Sequence, residues 1–311
     1  KTTINMMDKK NMHLNIGENI SNIFPIPNIN TGCSGLSAIS NTNNYDNNLC
    51  LVSDEIYFYY ESKNNNHNIR FICSLGYEQF TLITPFNSDI KNWNDIKNKK
   101  IGTIVDSSSF FIVQKILTAF NLKTVNKVLT IKYESGKIIK AFKDKIIDCY
   151  FVLTSHPDKT IQTIHRHTPL KIIGIEGLDK KILSGVFSFY NFEKVNLENY
   201  KLNHIIETLN VKLNLLCNKN FNKKDFFNLL SAIFSQFQYI KRNGDSDYLS
   251  PMRNFNPSKL YLDNLKYTYH DGTYKFLKDI GMITNNKSYY CKFKAGVENC
   301  KIEKINHFRL L

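Results

Sequence analysis

Residues 101–153 constrain the fold more than any other part of this chain. Residues 101–105, 128–133 and 147–153 are short apolar stretches of strand length, and the stretches between them, 110–120 and 136–142, carry apolar residues at helical spacing. A β–α–β–α–β order of this kind builds a parallel sheet. Such sheets bind ligands at the carboxyl ends of their strands, where each strand gives way to a helix. The fold class expected is α/β.

The flanking regions have a different texture. A strand is expected at 2–4, a helix where Ile16, Ile20, Ile23 and Phe24 recur at helical spacing, and a second helix opening at Leu36 after the turn Thr31-Gly32-Cys33-Ser34-Gly35. Strands are expected at 49–52, 69–74 and 80–84, and a helix at 56–60 behind Ser53-Asp54, a plausible cap pair. From about residue 205 the pattern returns to a strand at 211–216 and helices at 224–240, 257–265 and 274–280. At 311 residues the chain exceeds the size at which single cores stop growing, about 250–300 residues, so two units are expected.

Composition narrows the function classes. A hydrophobic content of 42% excludes a disordered chain, and no apolar run of about 18 residues is present to span a membrane. The net charge of +14 first suggests nucleic acid, but it comes from 36 Lys and only 5 Arg, and arginine is the residue that reads bases and phosphates bidentately. Spread along the chain, the lysines decorate a solvated surface, and nucleic acid is not the expected partner. A basic protein for nucleic acid or an anionic surface stays open as the alternative.

Cys50, Cys73, Cys149 and Cys217 lie in apolar runs and read as small core residues, whereas Cys291 and Cys300 stand outside such runs and are candidates for a disulfide. There is no CxxC and no HExxH, and His165 and His167 flank Arg166 without a third ligand, so neither a metal nor a cofactor is expected. The turn 32–35 is not a nucleophile elbow, because its second glycine comes one residue too soon. Ser135-Gly136-Lys137 lacks the first glycine and the Ser/Thr of a phosphate loop. Cys33 is either an activated thiol at a helix start or a small residue in a tight loop. No nucleophile–base set is in view, and the chain reads as a non-enzyme. Ser107, Ser108 and Ser109 open a helix, where free N–H groups and the helix dipole either grip an anion or serve only as a cap.

These motifs, in this order, resemble the TAXI family of TRAP-transporter solute-binding proteins. Thr31-Gly32-Cys33-Ser34 looks like the family's T-G-G-S turn, and Val52-Ser53-Asp54 with the aromatic-rich residues to Tyr60 looks like its strand ending in Q-S-D. The lysine-rich approach at 96–105, the small turn at 106–109, the stretch 148–157 ending in Ser155-His156-Pro157 and the terminal His270-to-Ile283 pattern follow in the family's order. The resemblance covers about residues 1–285. Residues 6–13, including Met12 and His13, replace the family's glycine-rich loop and its G-T-Y-Y sequence, so the ligand's identity stays open, as does divergence to another ligand.

The resemblance implies a two-lobed type II periplasmic binding protein, each lobe a mixed sheet flanked by helices, with the ligand in the cleft between lobes. Residues 1–89 with 206–311 would form lobe one and 90–205 lobe two, with 286–311 a basic extension packed on lobe one. It implies a monomeric periplasmic receptor, its signal peptide removed, that closes on a small carboxylate, an amino acid or a dicarboxylate such as glutamate or 2-oxoglutarate. The receptor would deliver that ligand to the membrane permease subunits of a TRAP-type transporter. Ser107, Ser108 and Ser109 would bind carboxylate from lobe two and Thr31, Cys33 and Ser34 from lobe one. Asp54 and Tyr57 would contact an ammonium or hydroxyl, Ser155 and His156 would close the cleft, and Met12 and His13 would line it.

Overall fold

The computed structural model describes residues 35–104, 107–123, 125–188, 190–235 and 267–279. The expected elements at 2–4, 16–24 and 257–265, the candidates Met12, His13, Thr31, Cys33 and Ser34, and the extension with Cys291 and Cys300 lie outside the described residues.

The described chain is α/β. Its strands are β1 (Leu49–Ser53), β2 (Ile69–Pro85), β3 (Lys100–Thr103), β4 (Lys127–Thr130), β5 (Cys149–Thr154), β6 (Leu170–Ile173), β7 (Asn191–Asn196) and β8 (Ile205–Asn218). Its helices are α1 (Leu36–Asn44), α2 (Asp54–Lys63), α3 (Ser108–Ala119), α4 (Ser135–Lys143), α5 (Lys159–His167), α6 (Gly177–Val186), α7 (Lys223–Ser235) and α8 (Asp271–Asp279). The strands form one sheet in the order β1-β8-β2-β5-β3-β4, with β6 added to β2 and β7 to β8. The β3–α3–β4–α4–β5 run is as expected, with β3 parallel to both β4 and β5.

Two long antiparallel strands tie the molecule together. β8 pairs with β2 from Asn218 to Asn210, opposite Ile69 to Gln79, and then continues along β7. β2 runs on past Gln79 to pair with β5 and β6. The expected strands at 69–74 and 80–84 are therefore one strand, carried through its polar middle by register shifts near Phe71/Cys73 and Ser74/Gly76.

At Gln79 and Asn210 the two strands part, β2 toward β5 and β6 and β8 toward β7, and the core divides at this crossing. A first cluster (Ile39, Val52, Ile56, Tyr57, Phe71, Leu216) packs α1 and α2 on β1 and the early part of β2. Beyond the crossing, opposite faces of the sheet carry a second cluster around Phe80, Trp93, Ile112 and Phe151 and a third around Ile138, Tyr150, Ile161 and Ile206. Each fully buried aromatic or aliphatic side chain contributes roughly 1.5–3 kcal/mol, so each side of the crossing has a core of its own.

Candidate functional site

Two helices begin at the carboxyl ends of β1 and β3, and the structure brings their first turns together. Ser53 and Ser107 are the N-cap residues of α2 and α3. Both have extended backbone, which lets the chain turn from strand into helix. The Ser53 hydroxyl donates to the Ser108 hydroxyl at 2.5 Å. Further along the same two helices the rings of Tyr59 and Phe111 lie 4.7 Å apart.

The three serines have different work. Ser107 Oγ donates to the Ile104 carbonyl at 2.8 Å and accepts from the Phe110 N–H, which closes the cap. Ser109 Oγ, buried, accepts from the Leu153 N–H at 2.9 Å and fastens α3 to β5. Ser108 is the serine that faces the other helix. No acidic side chain lies in the first turn of α3, so its N-terminal end favours an anion. The first turn of α2 carries Asp54 and Glu55.

Those two acids are committed to the protein. Asp54 Oδ1 accepts from Asn214 Nδ2 at 2.5 Å and from the Tyr267 hydroxyl, and Asn214 Oδ1 accepts from Ser74 Oγ at 2.7 Å. Burial raises the Asp54 pKa, and the hydrogen bonds from Tyr267 and Asn214 act against it. Glu55 Oε2 accepts from Lys115 Nζ of α3 and Oε1 from the Tyr190 hydroxyl, both at 2.6 Å. Tyr57 is only 1% exposed and donates to Glu61 Oε1 at 3.1 Å, so it belongs to the first core.

Ser155 and His156 lie just past β5. Ser155 Oγ donates to the Tyr77 carbonyl at 2.7 Å. His156 shares Nε2 with Thr81 Oγ1 at 2.9 Å and Nδ1 with the Tyr200 hydroxyl at 2.7 Å, so both ring nitrogens are held. The His156–Pro157 peptide is cis.

Sequence reading missed Glu55, Lys115 and Tyr190 as residues that join the two sides of the crossing. It also missed Glu78, in the polar middle of β2, whose pKa burial raises to about 8. The cysteines Cys50, Cys73, Cys149 and Cys217 are free and buried, with Cys50 pushed up to about 12 by burial. Among the described residues there is no cluster of His, Cys, Asp and Glu able to hold a metal ion. None of their helices is long and apolar enough to cross a membrane. A separate cavity of about 390 Å³ between α7 and α8 is lined by Phe226, Phe227, Asp271 and Lys275, and by none of the serines.

Residues 58–281, from within α2 to just beyond α8, match the NMT1-like family. The chain belongs to the NMT1-like family. Solved structures similar to this NMT1-like protein include the substrate-binding protein of an amino acid ABC transporter, at 12% identity and TM-score 0.43, over 77% of this chain and 84% of that one. A second is a putative periplasmic sulfonate-binding protein, SsuA, of Methylobacillus flagellatus, at 12% identity and TM-score 0.45, over 79% and 71%. A third comes from the glutathione import system of GshT and the cystine ABC importer TcyBC of Streptococcus mutans, at 13% identity and TM-score 0.44, over 76% and 86%.

Proposed function

We propose that this NMT1-like protein is an extracytoplasmic solute-binding receptor that captures a small carboxylate between two lobes and passes it to the membrane subunits of a transporter, of the TRAP type. In this reading the lobes are residues 1–89 with 206–311 and residues 90–205, and β2 and β8 are the strands about which they close.

The observation that carries the reading is the abutment of the α2 and α3 first turns at Ser53 and Ser108. A helix N-terminus offers unpaired N–H groups and positive potential, and the first turn of α3, which carries no acidic side chain, is the place for a carboxylate. Ser108 and the N–H groups of its turn bind that group directly, while Ser107 and Ser109 hold the turn in shape. Asp54, Tyr57 and His156, which have partners inside the protein, shape the walls. The Thr81 hydroxyl that meets His156 Nε2 is fully buried and donates to the Gln79 carbonyl, so this contact positions the ring, which favours binding over catalysis.

The test is thermal unfolding with a panel of amino acids and dicarboxylates. A ligand at 100 times its Kd adds about 2.7 kcal/mol to stability. A stabilising acid supports the receptor. No stabilisation by any acid, together with DNA binding that falls steeply with salt, would replace it with an anionic-surface binder.

A further inference from the structure

Two buried amide oxygens lack a hydrogen-bond partner at the point where β2 and β8 part. Gln79 and Asn210 are the last register pair of that ladder; Gln79 is also paired with Thr154 of β5, and Asn210 with Asn191 of β7. Register partners on antiparallel strands project to the same side, with Cβ atoms about 4.5–5.5 Å apart. Gln79 is 4% exposed, and neither its Oε1 nor Asn210 Oδ1 has a hydrogen-bond partner. Among the described residues these are the buried unpartnered atoms that share a ladder position.

The Asn210 amide is oriented by its neighbour. Asn210 Nδ2 donates to Glu193 Oε2, which leaves Oδ1 as the free end of the group. The register pair thus carries two acceptors without donors, with a carboxylate bonded to one of the two amides, and a buried acceptor without a donor costs free energy. The group that fits is a cation with several N–H donors. The place is also right: Gln79 lies opposite Thr154, and the preceding residue of β5, Leu153, is the one whose N–H binds Ser109 at the start of α3.

We propose that Gln79 and Asn210 bind the ammonium of an amino-acid ligand, with Glu193 behind them supplying the opposing charge. This rests on the receptor reading of the same site, with the ligand carboxylate at α3. It makes the protein selective for an amino acid over the 2-oxo acid of the same skeleton, since the oxo acid brings no donor to the two oxygens.

Calorimetric titration of the full chain with L-glutamate, 2-oxoglutarate and 1,4-diaminobutane tests it, in wild type, Gln79→Leu and Gln79→Glu. Wild type is expected to prefer glutamate over 2-oxoglutarate by about tenfold or more. Gln79→Leu should bring that ratio near one through loss of glutamate affinity, and Gln79→Glu, which keeps the acceptors, should retain it. Equal binding of the two acids by wild type, or a preference that survives Gln79→Leu, would mean that water satisfies the pair, and would overturn the amine site while leaving the receptor intact. Diamine binding that depends on Gln79, with neither acid bound, would keep the amine site and remove the carboxylate reading. No binding of all three probes would overturn both.

Discussion

The Glu55 carboxylate accepts a 2.6 Å hydrogen bond from the Tyr190 hydroxyl, joining residues 135 apart in the chain. Glu55 is on α2, which packs in the first core, and Tyr190 packs against the second, so the bond spans the crossing of β2 and β8. Burial, and then the Glu55 charge, raise the Tyr190 pKa, which keeps the hydroxyl a donor. Tyr190→Phe removes a bond to a charged acceptor that is itself only 8% exposed, and should cost about 1.5–3 kcal/mol in urea unfolding. Lys115→Ala removes the other partner, which is 52% exposed, and should cost less than about 1 kcal/mol. Equal costs would mean that Tyr190 is not the stronger partner.

Gly102 on β3 is there because its neighbours leave no room. A Cβ at this position would lie 2.7 Å from Tyr150 Cδ2 and 3.0 Å from Ile147 Cδ1. Tyr150 is its register partner on β5, and its hydroxyl is tied to the Ile131 carbonyl at 2.8 Å. The ring cannot retreat without breaking that bond. Gly102→Ala should destabilise by about 1–3 kcal/mol, measured as a lower midpoint of urea unfolding. An unchanged midpoint would show that β3 and β5 yield more easily than this packing implies.

Glu78 gives stability a pH dependence with an unusual sign. Burial raises its pKa from 4.5 to about 8. Between these values the unfolded chain has released a proton that the folded chain keeps, so this residue's contribution to stability falls as pH rises from about 4.5 to 8. Because Glu78 is only half-buried, solvent reduces the effect, and Glu78→Gln should gain about 1–2 kcal/mol at pH 8.5 and little at pH 4.5. Thermal unfolding of both proteins across this range checks it; parallel curves would show that Glu78 ionises normally.

Much of this fold was legible because short apolar strands bounded by polar turns leave a clear pattern. The run from β3 to β5 and the caps at Ser53 and Ser107 were all visible in that way. β2 was not read as one strand, because Gly76, Glu78 and Gln79 interrupt its apolar pattern where it leaves β8. β7, with a mostly exposed or half-buried sequence, and the short α5 carry little apolar signal. The serines of α3 could be found from local chemistry alone. Glu55 with Tyr190 and Gln79 with Asn210 could not, since each pair joins segments remote in sequence.

The serines of α3 separate a structural role from a binding one. Ser109→Ala removes the acceptor of the buried Leu153 N–H and should cost about 1–3 kcal/mol of stability. Its affinity for a small acid should change little, as long as the remaining bonds hold α3 in place. Ser108→Ala removes the hydroxyl that meets Ser53 between the two helix starts, and should lower affinity several-fold with a stability loss under about 1 kcal/mol. Urea unfolding and ligand titration on the same variants read both quantities. If Ser108→Ala leaves affinity unchanged while Ser109→Ala lowers it beyond what its stability loss explains, the carboxylate is bound deeper, against β5. If neither changes affinity, the ligand does not use the α3 terminus.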